Sequence, residues 1–121
     1  MNINALTIKA QEALQGAVSE AQSHSQQAVE PLHLLAVLSR EQNSLTGFLL
    51  GRVGVHLKSL QEEVAKALEH LPKVTGGEPY FAPDLTRTIQ RAVDFTKPFG
   101  DKYASVEHLL LALVAERGTA A

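Results

Sequence analysis

Leu6, Ala10, Ala13, Leu14, Ala17, Val18 and Ala21 recur at three- and four-residue steps along the start of the chain. That period lines up apolar side chains on one stripe of an amphipathic helix. The stretch "SHSQQ" (23–27) interrupts it. Pro31 then stands where the first turn of a second helix loses nothing by lacking an N–H. The run from Leu32 to Leu38 is apolar on almost every side, which predicts a helix buried at the centre of the fold. "EQNS" (41–44) reads as a loop whose Asn43 or Ser44 caps a short third helix through Leu45, Phe48 and Leu49, closed by Gly51 and Gly54. Leu57, Leu60, Val64, Ala67, Leu68 and Leu71 form the stripe of a fourth helix. "PKVTGGEPYFAP" (72–83) packs prolines and glycines too densely for an element and reads as a linker. A fifth helix carries Leu85, Ile89, Ala92, Val93 and Thr96 on its inner stripe and ends at "PFGD" (98–101). Ser105 can cap a sixth, from Val106 to about Glu116, again apolar nearly all round. No stretch alternates with period two, so no strand is predicted, and the fold class is all-α.

Two of these segments say nearly the same thing. "VEPLHLLAVL" begins at Val29 and "ASVEHLLLAL" at Ala104, each with one histidine before a leucine run, and His108 lies 75 positions beyond His33. At that offset, without a gap, Leu6 meets Phe81, Leu14 meets Ile89, Ala17-Val18 meets Ala92-Val93, Leu34-Leu35 meets Leu109-Leu110 and Leu38 meets Leu113. The chain is therefore an internal tandem repeat of one helical unit. Each copy sets an amphipathic helix against a buried one, and the two buried helices are expected to pack at the centre under pseudo-twofold symmetry. The bounds are one domain over 1–121: repeat one at about 6–71, linker 72–80, partial repeat two at about 81–119. The first copy continues through two further helices for which the second has no room before "AERGTAA", so the second repeat reads as truncated. Apolar surface left uncovered by that truncation predicts a marginal fold or self-association.

The repeat also marks what differs between copies. Phe95 falls opposite Glu20, a residue that favours water, so Phe95 is expected to point outward. Phe99 and Tyr103 lie just beyond it, and Tyr80 and Phe81 end the linker. The second copy thus gathers aromatics where the first has polar or small residues. Such a patch suits a binding surface; the alternative is a satellite cluster packed under the linker or against further helices.

Composition narrows the chemistry. A length of 121 residues suits one core, and a net charge of −2 gives no sign of the basic face that nucleic-acid binders carry. No cysteine is present, which removes disulfides and thiolate chemistry. No apolar run approaches a membrane span, and the start of the chain lacks a secretory signal. None of the five histidines pairs with another at the i, i+3 or i, i+4 spacing of helix-borne metal ligands. His33 and His108, being repeat partners, read as structural, each hydrogen-bonded to a neighbouring turn. "TGGEP" (75–79) lacks the Lys-Ser or Lys-Thr of a phosphate loop. Glu62, Glu63 and Lys66 read as the solvated face of the fourth helix. No metal and no catalytic group is expected.

The ordered set "LTIKAQEAL", "EPLHLL", "PKVTGGEPY" and "FGDKYASVEHLLLAL" resembles the Clp N-terminal domain, the all-helical double repeat at the front of Clp-type AAA+ unfoldases. The likeness runs from about Leu6 to Thr119 and leans toward the disaggregase branch. It implies a non-catalytic module that binds unfolded or aggregated polypeptide weakly through an apolar groove, in the cytoplasm, and passes it to a hexameric ATPase ring. ATP is then expected of a remainder of the protein, since no Walker motif occurs here, and no cofactor of this chain. The family's polar positions match Thr7, Asp101 and Glu107. Its groove positions match Ile89, Arg91, Phe95 and His108, although Arg91 and His108 are less apolar than the leucines common there. Asp101 and Glu107 equally suit a turn and a helix cap. The alternative within the family is the adaptor-docking domain of the protease-unfoldase branch. A stand-alone helical hydrolase or metal protein is the alternative from another class.

Overall fold

The computed structural model describes residues 3–40, 52, 56–74, 77–100 and 102–115. The expected third helix (Leu45, Phe48, Leu49), the glycines at 51 and 54, and Asp101 lie outside the described residues. Five α-helices appear among them: α1 (Ile8–Ser23), α2 (Pro31–Ser39), α3 (Leu57–Glu69), α4 (Pro83–Asp94) and α5 (Val106–Ala115). Short 3-10 turns occupy Ile3–Ala5 and Lys97–Phe99.

The repeat governs the packing. α1 lies on α2 as α4 lies on α5, α1 reaches α5 as α2 reaches α4, and α2 meets α5 across the pseudo-axis. The matched positions share their burial: Leu14 with Ile89, Ala17 with Ala92, Leu34 with Leu109, Leu38 with Leu113. Prolines begin α2 and α4 at their first turns, where the missing N–H has no helical partner to lose. The two histidines have the same local job. Nδ1 of His33 accepts the backbone N–H of Glu30 at 2.8 Å, and Nδ1 of His108 accepts that of Ser105 at 2.9 Å. Each ring thus closes the start of its helix by satisfying an N–H just outside it.

The strandless expectation needs correction. Ala28–Val29 (β1) and Tyr80–Phe81 (β2) pair in parallel, with Val29 opposite Phe81, and Leu6 forms a lone parallel bridge with Ala104. The two contacts are repeat images of one another, because Phe81 is the image of Leu6 and Ala104 that of Val29. Ala82 N–H donates to the Val29 carbonyl at 3.0 Å, and its image, Thr7 N–H, donates to the Ala104 carbonyl at 2.8 Å. Each copy therefore lends its leading segment to the other. Two-residue strands are too short to show a period, and part of the expected linker supplies one of them.

Phe95 also needs correction. It sits at the C-cap of α4, half-buried against the core rather than pointing out. Its image Glu20 is buried as well: Arg40 grips both carboxylate oxygens at 2.6 and 2.8 Å, and His24 Nε2 lies 3.0 Å away. The Arg40 guanidinium holds the Glu20 carboxyl below the usual carboxylate range, against the opposing effect of burial. A distant cation, not the helix stripe, decides which way position 20 faces.

The copies differ most on the far face of their central helices. Ala36 and Ser39 of α2 are buried under α3, where the Gln61 amide donates to the Ser39 carbonyl at 2.6 Å. Their images on α5, Leu111 and Val114, are 52 % and 61 % exposed. Replacing both with serine is expected to lower fluorescence of a bound apolar dye and to change unfolding free energy by less than about 0.5 kcal/mol, since neither is packed. Dye titration and urea unfolding of the two proteins check this.

Candidate functional site

The Leu6–Ala104 bridge organises a surface. Thr7 caps α1, its hydroxyl accepting the Ala10 N–H at 3.1 Å, while its own N–H is tied to Ala104. Ala104 N–H donates back to the Ala5 carbonyl at 2.7 Å. One residue on, Ser105 opens α5, and its hydroxyl donates to the Glu107 carboxylate at 2.5 Å. Glu107 thereby sits in the first helical turn, where a negative charge complements the helix dipole. Thr7, Glu107 and His108 therefore share one junction, all partly exposed.

Two apolar side chains stand out of this junction. Ile8, the first residue of α1, is 75 % exposed, and Tyr103 is 46 % exposed with Lys102 Nζ 5.8 Å from its ring centroid. The ammonium lies within cation–π range of the tyrosine. Tyr103 belongs to the aromatic group flagged by the repeat, whereas Ile8 carried no flag. Its only sequence signal is an apolar β-branched residue off the helical stripe.

The remaining nominated residues divide. Ile89 is 1 % exposed, in the core with Leu85 and Ala92, and so contributes to no surface. This corrects its assignment to a groove and agrees with its place on the inner stripe. Arg91 is exposed on α4. Its image is Gly16, where an added Cβ would stand 3.1 Å from Val37. Copy two has Ala112 in place of Val37, and the smaller residue leaves room for a long side chain at 91. Phe95 faces the core, as described above. Asp101 and the side chain of Phe99 lie outside the described residues. Of the linker aromatics, Tyr80 is exposed and Phe81 packs on the core. The described residues contain no group of three or more His, Cys, Asp or Glu able to hold a metal ion. No described helix is long and apolar enough to cross a membrane.

The cap at Thr7 makes a separate prediction. Thr7→Ala removes the acceptor of an otherwise orphaned helical N–H and is expected to cost about 1 kcal/mol. Thr7→Ser, which keeps the oxygen, is expected to cost less than half of that. Chemical denaturation of both variants measures the difference.

Comparison with known proteins gives a consistent result. The family described as Clp repeat (R) N-terminal domain matches residues 5–121. The chaperone protein ClpB of Porphyromonas gingivalis is 45 % identical over 117 residues, covering 97 % of this chain and 14 % of that protein. ClpB of Bacteroides thetaiotaomicron is 41 % identical over 119 residues, covering 98 % and 14 %. The chain thus spans about one seventh of the length of these relatives. Among solved structures, the Hsp104 N-terminal domain from Candida albicans superposes with a TM-score of 0.83 at 21 % identity, over 94 % of this chain and 76 % of that one. The N-domain of ClpV from Vibrio cholerae gives 0.84 at 19 %, over 97 % and 70 %. At those identities the structural likeness speaks for the fold.

Proposed function

The chain belongs to the Clp repeat N-terminal domain family, and from that premise we propose that it is the substrate-engaging module of a ClpB-like protein disaggregase. Clp N-domains are non-catalytic modules of AAA+ proteins. ATP hydrolysis, the hexameric ring and a cytoplasmic setting would belong to the protein of which such a module is part. The observation that supports client binding is the exposure of Ile8 and Tyr103 on either side of the Leu6–Ala104 bridge, beside Thr7 and Glu107.

The physics favours weak, tolerant binding. An unfolded segment laid over these side chains would bury on the order of a few hundred Å² of apolar area, at about 25 cal/mol per Å². Ordering the segment consumes much of that gain. A module that hands its client onward needs release as much as capture, so a shallow surface suits it. Glu107 beside an apolar patch favours clients with a basic residue next to an apolar one.

An amide NMR titration with a permanently unfolded protein tests the proposal. Fast-exchange shifts at Thr7, Ile8, Tyr103 and Glu107 are expected. Ile8→Ser with Tyr103→Ser is expected to weaken binding at least fivefold while folding stability stays within about 0.5 kcal/mol. A dispersed spectrum that does not move would sink client binding and turn attention to folded adaptors, the other partner class the family suggests.

A further inference from the structure

His33 is fully buried, and its hydrogen bonds fix its protonation state. A backbone N–H can only donate, so Nδ1, 2.8 Å from Glu30 N, carries a lone pair. The proton is therefore on Nε2, which donates to Gln26 Oε1 at 2.6 Å. With its oxygen thus assigned, Gln26 turns its amide nitrogen to the Leu68 carbonyl at 2.5 Å. Gln26 is itself buried. The result is a relay of three hydrogen bonds, from the start of α2, through the segment after α1, to the last turn of α3.

We propose that His33 is an acid-operated catch that fastens α3 to α1 and α2 within the first repeat copy. A second proton can enter the ring only at Nδ1, where it would face the Glu30 N–H, donor against donor, in a site with no exposed surface. The charged ring must leave its site. Its departure leaves the Gln26 oxygen without its donor and loosens the hold on Leu68. What opens is the seam between the Ala36–Ser39 side of α2 and the Val64–Leu68 side of α3. His108, the image of His33, is only half-buried, so its ring is not sealed from solvent as that of His33 is.

The charged neighbours do not reverse this. On α1, Glu20 favours the imidazolium, but both its oxygens are already bound by Arg40, and His24 opposes it. At the start of its own helix, the Glu30 N–H that donates to Nδ1 opposes a charge on the ring. From α3 the relay meets a backbone carbonyl, that of Leu68. Burial is the largest influence and holds the imidazole below the ordinary histidine range. Because the folded value is the lower one, the stabilisation is complete above the unfolded-state value and is lost as pH falls toward the folded one. Glu20 is itself held below the usual carboxylate range by Arg40.

Imidazole ¹⁵N shifts and amide exchange, followed together from about pH 7.5 to 4.5, test the catch across the ordinary histidine range. His33 is expected to keep its Nε2–H tautomer until the last-turn amides of α3 lose protection. That protection should fall tenfold per pH unit, the slope of one proton, while the α5 amides stay protected. His33→Asn, which cannot titrate, is expected to abolish the transition. His108→Asn and His24→Gln are expected to leave it in place. Three results would overturn the proposal: His33 taking its proton with α3 still protected, simultaneous loss of protection in both copies, or a transition that follows His24 instead. Should His33→Asn fail to fold, the unmodified protein's imidazole titration decides alone.

Discussion

Ile89→Ala is expected to lower the free energy of unfolding by about 3 kcal/mol, the usual cost of emptying a buried isoleucine site, and to leave the folded protein's affinity for an unfolded client unchanged. The side chain is 1 % exposed and packs with Leu85 and Ala92. Its image Leu14 is equally buried, so Leu14→Ala should cost a similar amount. Urea unfolding gives the stabilities, and titration at a urea-free temperature where both variants remain folded gives the affinities. A stable Ile89→Ala protein that binds client poorly would mean that α4 opens during binding and that the core assignment misses a working surface. The contrast with Ile8 and Tyr103 is the useful part. Changes there should move affinity and spare stability.

The two repeat histidines should respond unequally to the same change. His33→Ala is expected to cost about 3 kcal/mol, because it leaves a cavity and strands both the Glu30 N–H and the Gln26 amide. His108→Ala is expected to cost about 1 kcal/mol, because its half-exposed surroundings let water replace the ring as acceptor of the Ser105 N–H. Equal losses would show that burial around the two rings is alike in solution. Thermal and urea unfolding, with all three proteins held at one pH, make the comparison.

Much of the architecture was legible because the chain states it twice. A histidine at the same place before two leucine runs could be read as structural, and the Nδ1 contacts at Glu30 and Ser105 bear that out. The inner stripes of α1 and α4 were readable from spacing alone. Three features were not. Strands of two residues have no period to detect. The direction of Glu20 depends on Arg40, twenty positions away, and with it fell the outward placing of Phe95. The exposure of Leu111, against the burial of its image Ala36, depends on which helix lies above, which a local pattern cannot register. Of the nominated residues, Thr7, Glu107 and His108 lie around the Leu6–Ala104 bridge, whereas Ile89 lies in the core. Ile8 was missed because helical periodicity treats an off-stripe residue as solvent-facing and looks no further.

The exchange of leading segments between the copies has a consequence for the unit taken singly. A polypeptide containing one copy would hold a strand residue like Leu6 with no Ala104 to meet, and a Val29 with no Phe81. Two such molecules could satisfy both needs by trading arms about a twofold axis, with their buried helices in contact at the centre. The tandem chain can then be seen as a covalently joined, arm-swapped homodimer. In the joined chain the two units are permanent neighbours, and they need not be alike. The first unit seals Glu20 and His33 inside, whereas in the second the image of His33 is only half-buried.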